Sequence, residues 1–151
     1  MTSRRALDRL DKRILDLLQQ NARYTNTEIG KQVGLSQPAV TARIQRMEEE
    51  GVIEGYGARI NPRSAGLEIS AFIRLKTTHD KIDPCLRLFA ATPAIVASDR
   101  ITGEDCFIVR ATVATMSQLE EVIDKLAAFG AVSTSIVLAT YPGKGFTMSA
   151  S

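Results

Sequence analysis

TNTEIGKQVGLSQPAVTARIQRMEEEG, residues 25–51, holds two helix starts and a helix stop in close succession. Thr25 is placed to cap a first helix, and Glu28, three residues on, can return a hydrogen bond to the cap amide. Tyr24 and Ile29 stand at the two positions of a hydrophobic staple. Ile29 and Val33 lie four apart on one face, and Gly34 follows where a left-handed helix end favours a residue without Cβ. Ser36 then caps a second helix, with Pro38 in its first turn, where a missing amide costs little. Two short helices joined by a tight turn form a helix-turn-helix.

On the second helix, at about 100° per residue, Val40, Ile44 and Met47 cluster on one side and are expected to pack inward. Pro38, Thr41, Ala42, Gln45 and Arg46 project from the other side, with Gln37 and Arg43 on the flanks. This face suits a major groove: Gln pairs with an adenine edge, Arg forks onto guanine, and Thr or Ala touches a thymine methyl. Arg43 is expected to grip phosphate. Glu48, Glu49 and Glu50 repel phosphate and oppose the helix dipole at its C-terminal end, so the N-terminal half must dock. An αα-hairpin with a solvated polar face is the alternative reading. Charge separates the two. Residues 1–46 carry nine Lys or Arg against four Asp or Glu, a net of +5, whereas the whole chain is only +2. The concentration of positive charge at this end favours a polyanionic partner.

A chain of 151 residues with 44% hydrophobic and 24% charged content is expected to fold as one medium or two small soluble domains. It shows neither an apolar run of membrane-spanning length nor a secretory leader, so the expected location is the cytoplasm, without membrane association. Cys85 and Cys106 lack CxxC spacing and fall in apolar patterns, which reads as buried thiols rather than a disulfide. His79, the sole histidine, lies beside Asp80 near a strand end, so no metal site is expected.

Residues 1–5 are polar; Arg4 and Arg5 read either as a basic arm for a DNA backbone or as a frayed end. Asp8 caps a helix to about Gln20, with Asp11 in its first turn and Leu10, Ile14, Leu17 and Leu18 as its stripe. This helix completes a three-helix DNA-binding domain over residues 1–51. Val52, Tyr56, Ala58 and Ile60 suggest a short hinge strand within a linker over 52–66. Residues 67–151 form a second domain with nine basic and nine acidic residues between 61 and 151. There Ile69, Ala71, Ile73 and Leu75 alternate with Ser70, Phe72, Arg74 and Lys76 as a strand. Asp83 and Pro84 open a helix to about Ala91 that buries Leu86, Phe89 and Ala90. Strands over 95–102 and 106–113 flank a tight loop, Gly103-Glu104-Asp105. Ser117 and Glu120 form a capping box for a helix that Gly130 ends, with Leu119, Val122, Ile123 and Leu126 inward. A last strand spans about 132–141. The fold class is thus α+β, an N-terminal helix-turn-helix followed by a ferredoxin-like βαββαβ plait with both helices on one sheet face. Phe72 and Ile108 lie on the uncovered face, so a homodimer through the sheets is expected.

Three stretches together resemble the Lrp/AsnC, or feast/famine, family of regulators. They are LDRLDKRIL at 7–15, LSQPAVTARIQRMEEEGVIEGYGARINP at 35–62 and ITGEDCFIVRATV at 101–113. The resemblance covers nearly the full length. It implies a winged or plain helix-turn-helix on an amino-acid-sensing domain, with dimers that often assemble into octameric rings. The effector in that family lies between dimers against the loop that here reads Thr102, Gly103, Glu104, Asp105, Cys106, with Thr134, Ser135 and Ile136 matching positions near the pocket. Loop amides beside a glycine can hold a carboxylate and an acidic side chain can hold an ammonium. Many relatives carry an acid three places after the glycine, where this chain has Cys106, leaving Glu104 or Asp105 to substitute. Without the resemblance the loop reads as an ordinary hairpin turn.

The expected function is that of a sequence-specific DNA-binding transcriptional regulator answering to an amino acid or related metabolite, with no cofactor. Two alternatives share the architecture. One is an enzyme like the sirohaem decarboxylases, which the scarcity of clustered acid, base and cation groups disfavours. The other is an architectural protein that wraps DNA without an effector.

Overall fold

The computed structural model describes residues 6–148, so Arg4 and Arg5 lie outside the described residues. The chain divides into two compact units, one running through Ala58 and also including the tail 142–148, the other spanning Arg59–Tyr141.

The first unit contains α1 (Arg9–Gln20), α2 (Asn26–Val33) and α3 (Gln37–Glu49). Each helix starts at a residue whose side chain takes up the free amides of the first turn. Asp8 accepts from Leu10 and Asp11, Thr25 from Glu28, and Ser36 from Ala39. In the first two the N3 carboxylate returns a bond to the cap amide, completing the capping box. Gly34 ends α2 at φ 76°, and the amides of Gly34 and Leu35 both close on the Gly30 carbonyl, which sets the tight turn before α3. Ile14, Ile29, Val33, Val40, Ile44 and Met47 form the core, with Leu10, Leu17, Leu18 and Tyr24 packed around it.

The expected hinge strand at 52–60 does not form. The amides of Val52 and Ile53 are both taken by the Met47 carbonyl, at 2.8 and 3.1 Å, and fold the chain back on the end of α3. Gly55 and Gly57 then add no side chain that could pack on a pleated surface. The tail 142–148 joins this unit through α1. Gln19 Nε2 donates to the Phe146 carbonyl at 2.9 Å, and the Met148 amide donates to Asp16 Oδ1 at 2.7 Å.

The second unit contains β1 (Ile69–Lys76), α4 (Ile82–Ala91), β2 (Ile95–Arg100), β3 (Phe107–Val113), α5 (Met116–Ala127) and β4 (Ala131–Ile136). Its sheet runs β2-β3-β1-β4, with every neighbouring pair antiparallel, as the ferredoxin-like plait requires. Ile69 faces Val113 and Leu75 faces Phe107, so Ala71, Ile73 and Leu75 share a face with Val109 and Ala111. Against that face lie Cys85 and Phe89 of α4 and Leu119, Val122 and Leu126 of α5, with the Phe89 and Phe107 rings edge to face at 5.1 Å.

Several local expectations change. α4 begins one residue before Asp83 without a side-chain cap, and its buried face is Cys85 and Phe89, flanked by Leu88; Leu86 and Ala90 turn outward. The cap of α5 is Thr115, which accepts from Gln118, so the helix starts before Ser117 and the Ser117/Glu120 box does not form. Gly130 does not end α5, which closes at Ala128. A Cβ at Gly130 would instead collide with the Lys76 carbonyl, so the glycine permits close approach of two backbones. β4 is shorter than expected, and beyond it Leu138 and Tyr141 are exposed.

Candidate nucleic-acid interface and ligand loop

α3 presents Gln37, Pro38, Ala42 and Gln45 as exposed residues and Thr41 as a half-buried one, opposite the buried Val40, Ile44 and Met47. Thr41 is the hub of the outer face. Its hydroxyl donates to the Gln37 carbonyl and accepts from Gln37 Nε2 at 3.0 Å and from Asn26 Nδ2 at 2.9 Å. Gln45 Nε2 reaches Glu49 at 3.1 Å, an exposed bond that a better partner can replace. The outer face therefore offers two carboxamides about two turns, roughly 12 Å, apart with small side chains between them, a spacing of several base steps along a groove.

The two arginines behave differently from the expectation. Arg46 does not project: its Nη2 turns to Asp11 Oδ2 at 2.6 Å, and its Nε is enclosed without a hydrogen-bond partner. Arg43 Nη1 bridges Asp8 Oδ2 and Asp11 Oδ1, both at 2.7 Å. Asp11, only 1% exposed, thus receives one guanidinium on each oxygen, and the pair of arginines braces α3 against the first turn of α1. The Asp8 carboxyl is held down at about 2, first by the Arg43 hydrogen bond and then by the Asp11 amide. Arg43 is raised in turn, by Asp8 before Asp11. At the far end of α3, Glu48 accepts from the Tyr56 hydroxyl at 2.7 Å, and burial together with this carboxylate pushes that phenol up to about 12.

In the second unit the β2–β3 connection closes when the Ile101 amide bonds the Cys106 carbonyl at 3.0 Å, and Gly103 turns the chain at φ 107°. Thr102, Gly103 and Glu104 are exposed, and Asp105 is half-buried. Cys106 is not turned out toward a ligand. Its amide bonds the Leu75 carbonyl at 2.9 Å and its thiol donates to the Thr77 carbonyl at 3.1 Å, which fixes the loop base to the end of β1. Thr134, Ser135 and Ile136 pair with Ile73, Phe72 and Ala71, on the opposite side of β1 from β3. Ser135 therefore lies on the open sheet face, while Thr134 and Ile136 lie on the helix-bearing one. Within this unit the loop and β4 do not converge: two inter-strand spacings, roughly 10 Å, separate β3 from β4.

The face not covered by α4 or α5 carries Ser70, Phe72, Arg74 and Lys76 of β1 with Ile108, Arg110 and Thr112 of β3. Phe72 is 38% exposed, and the Arg110 guanidinium lies 5.5 Å from its ring centroid. Apolar content on this face is lower than its length suggests, because Ser70 and Thr112 pair through their hydroxyls at 3.1 Å and Arg74, Lys76 and Arg110 share the face with Phe72.

Comparison with known proteins agrees with this geometry. Residues 7–54 match the winged helix-turn-helix DNA-binding family, and residues 70–144 match the Lrp/AsnC ligand binding domain. The chain is 34% identical over 135 residues to an uncharacterised HTH-type transcriptional regulator of Bacillus subtilis, YezC, covering 89% of this chain and 95% of that protein. It is 33% identical over 139 residues to the leucine-responsive regulatory protein of Rhizobium meliloti, covering 89% and 88%. A transcriptional regulator of Neisseria meningitidis, solved as a complex with L-Met, superimposes with a TM-score of 0.85 at 28% identity, covering 92% and 94% of the two chains. A helix-turn-helix unit, a plait of this strand order and relatives matched along almost their whole length together place the chain in the Lrp/AsnC family of transcriptional regulators.

Proposed function

We propose that this chain binds operator DNA as a homodimer or a larger ring of dimers in the cytoplasm, that an amino acid biases its assembly, and that it acts as a regulator rather than a catalyst. The observation that carries the reading is the outer face of α3, where Gln37 and Gln45 stand exposed on a helix held rigidly to α1 through Asp11. Rigid placement matters because base readout needs side chains held in register with the groove.

The base-reading group is Gln37, Pro38, Thr41, Ala42 and Gln45. Arg43 and Arg46 act first as braces, because both guanidinium groups are committed to carboxylates of α1. For the effector, the loop Thr102, Gly103, Glu104, Asp105 with the base at Cys106 supplies free amides and acids, and Thr134, Ser135 and Ile136 supply the second wall. Since β1 separates the two patches within one unit, a pocket using both takes one from each of two copies. The Neisseria relative with bound L-Met supports an amino acid as the ligand class. An effector of this kind acts through unequal affinity for two assembly states.

The test begins with selection of duplexes from a random pool by the wild-type protein. Gln37→Ala and Gln45→Ala should each lose about 1–3 kcal/mol of discrimination at the bases they read while leaving thermal stability unchanged. Selection yielding no sequence preference would refute operator reading. Titration calorimetry with the proteinogenic amino acids should give heat with at least one, reduced by Glu104→Ala or Asp105→Ala; silence across the panel would refute the effector assignment.

A further inference from the structure

Arg43 is shared between two carboxylates that differ in every respect that governs exchange. Asp11 is 1% exposed and also holds Arg46, so its bond to Arg43 is fixed within the head. Asp8 is 44% exposed, sits at the N-cap of α1 and meets Arg43 through a single oxygen at 2.7 Å. The Arg43 side chain keeps 24% of its surface open, so a solvent-borne oxyanion can reach it, and Asp8 is the more exposed of the two acceptors such an ion would displace. Carboxylate and phosphate oxygens present the same acceptor geometry to a guanidinium. Each cation given to phosphate strengthens binding to every sequence equally, since backbone contacts carry no base information. Residues 1–46 already bear a net charge of +5.

We infer that Asp8 is a specificity-determining residue: its carboxylate competes with DNA backbone phosphate for Arg43 and so restrains sequence-blind binding by the head. The inference rests on the DNA-binding reading above. It assigns Asp8 a task beyond capping, and the two tasks separate in one substitution, because Asn caps a helix as well as Asp does but offers no charge.

The test compares wild type, Asp8→Asn, Arg43→Gln and the double variant. Fluorescence anisotropy would follow binding to a mixed-sequence duplex and to a duplex selected by the wild-type protein, between 50 and 200 mM salt. In Asp8→Asn, Arg43 keeps Asp11 but loses its exposed competitor, and the phosphate contact it then makes should steepen the plot of log affinity against log salt by about 0.9 per head, roughly a three- to fourfold change per head across this range. The ratio of selected to mixed-sequence affinity should fall. Arg43→Gln with Asp8 intact should leave the slope unchanged, and the double variant should return it to wild type. An unaltered slope in Asp8→Asn would overturn the inference. So would a steepened slope that persists in the double variant, which would assign the effect to Asp8's own repulsion of phosphate. Wild-type protein that binds no duplex would sink both this inference and operator binding, whereas normal binding with an unaltered slope sinks this one alone.

Discussion

Asp11 occupies the third position of α1, where a carboxylate suits the helix dipole, but its buried oxygens hold both arginines of α3. Removing it would leave Arg46 facing a space without an anion and Arg43 with Asp8 alone. Asp11→Ala should therefore cost about 3 kcal/mol, read as a lower urea midpoint for the helical unit; a loss under about 1 kcal/mol would show that water replaces the carboxylate at little cost. Asp8 behaves differently because it is solvated. Its carboxyl titrates at about 2 in the folded protein against an ordinary 3.8, so its stabilising effect is fully present above pH 3.8 and is lost as pH falls through about 2. The stability difference between wild type and Asp8→Asn should accordingly be constant near neutrality, shrink below pH 3.8 and vanish below about pH 2, as acid titrations of the two proteins would show. Helical spacing placed Val40, Ile44 and Met47 inward and Gln37 and Gln45 outward, as found, since that spacing fixes where each Cβ points. It could not place the ends of Arg43 and Arg46, whose long stems carry the charge back around the helix to Asp11.

Helix starts were legible where one cap pattern stood alone and ambiguous where two overlapped. Asn26 and Thr27 follow Thr25, but only Thr25 has a Glu or Gln three residues on, and Ser36 ahead of Pro38 has no competitor within a turn; both cap as expected. Before α5 the run 115–120 offers Thr115 with Gln118 and Ser117 with Glu120, and both fit the same pattern. The structure uses the first pair, with Gln118 Oε1 also taking the Ala114 amide at 3.0 Å. Thr115→Ala should cost about 1 kcal/mol while Ser117→Ala should be nearly neutral; the reverse ranking in thermal melts would mean that the helix begins at the later site. For α4 the sequence showed apolar residues on more than one face, and only the plait decides that Cys85 and Phe89 go inward. Gly130 is a related case. As a glycine near a helix end it reads as a left-handed cap, but its place against the Lys76 carbonyl is a pairing of distant segments that local pattern does not encode. Gly130→Ala should destabilise the plait by about 1–3 kcal/mol through that clash.

Charge asymmetry and the change from helical spacing to alternation made the division into a reading head and a plait visible in the sequence. The proposed effector site was not visible as a unit, because its two parts, the loop before β3 and the strand β4, are separated by β1 within one sheet. The open sheet face bears on the proposed dimer in a way that charge can test. Phe72 stands near its middle, paired across β1 with Arg110 on one side and Ser135 on the other. Around it the paired strands place Arg74, Lys76 and Arg110, against Asp99 as the acid on the same face. Two such faces brought together about a two-fold axis bury Phe72 and Ile108 but oppose like charges. Added salt screens that repulsion and strengthens the apolar term, so association should tighten as ionic strength rises. Binding to DNA must move in the opposite direction, because it releases counterions. Sedimentation equilibrium should find dimers or larger species at micromolar wild-type protein, with a dissociation constant that falls between 50 and 500 mM salt. Phe72→Asp should give monomers that still fold, since Phe72 lies outside the buried core of the plait. Wild-type monomers throughout that range, or Phe72→Asp dimers of undiminished affinity, would place self-association elsewhere on the molecule.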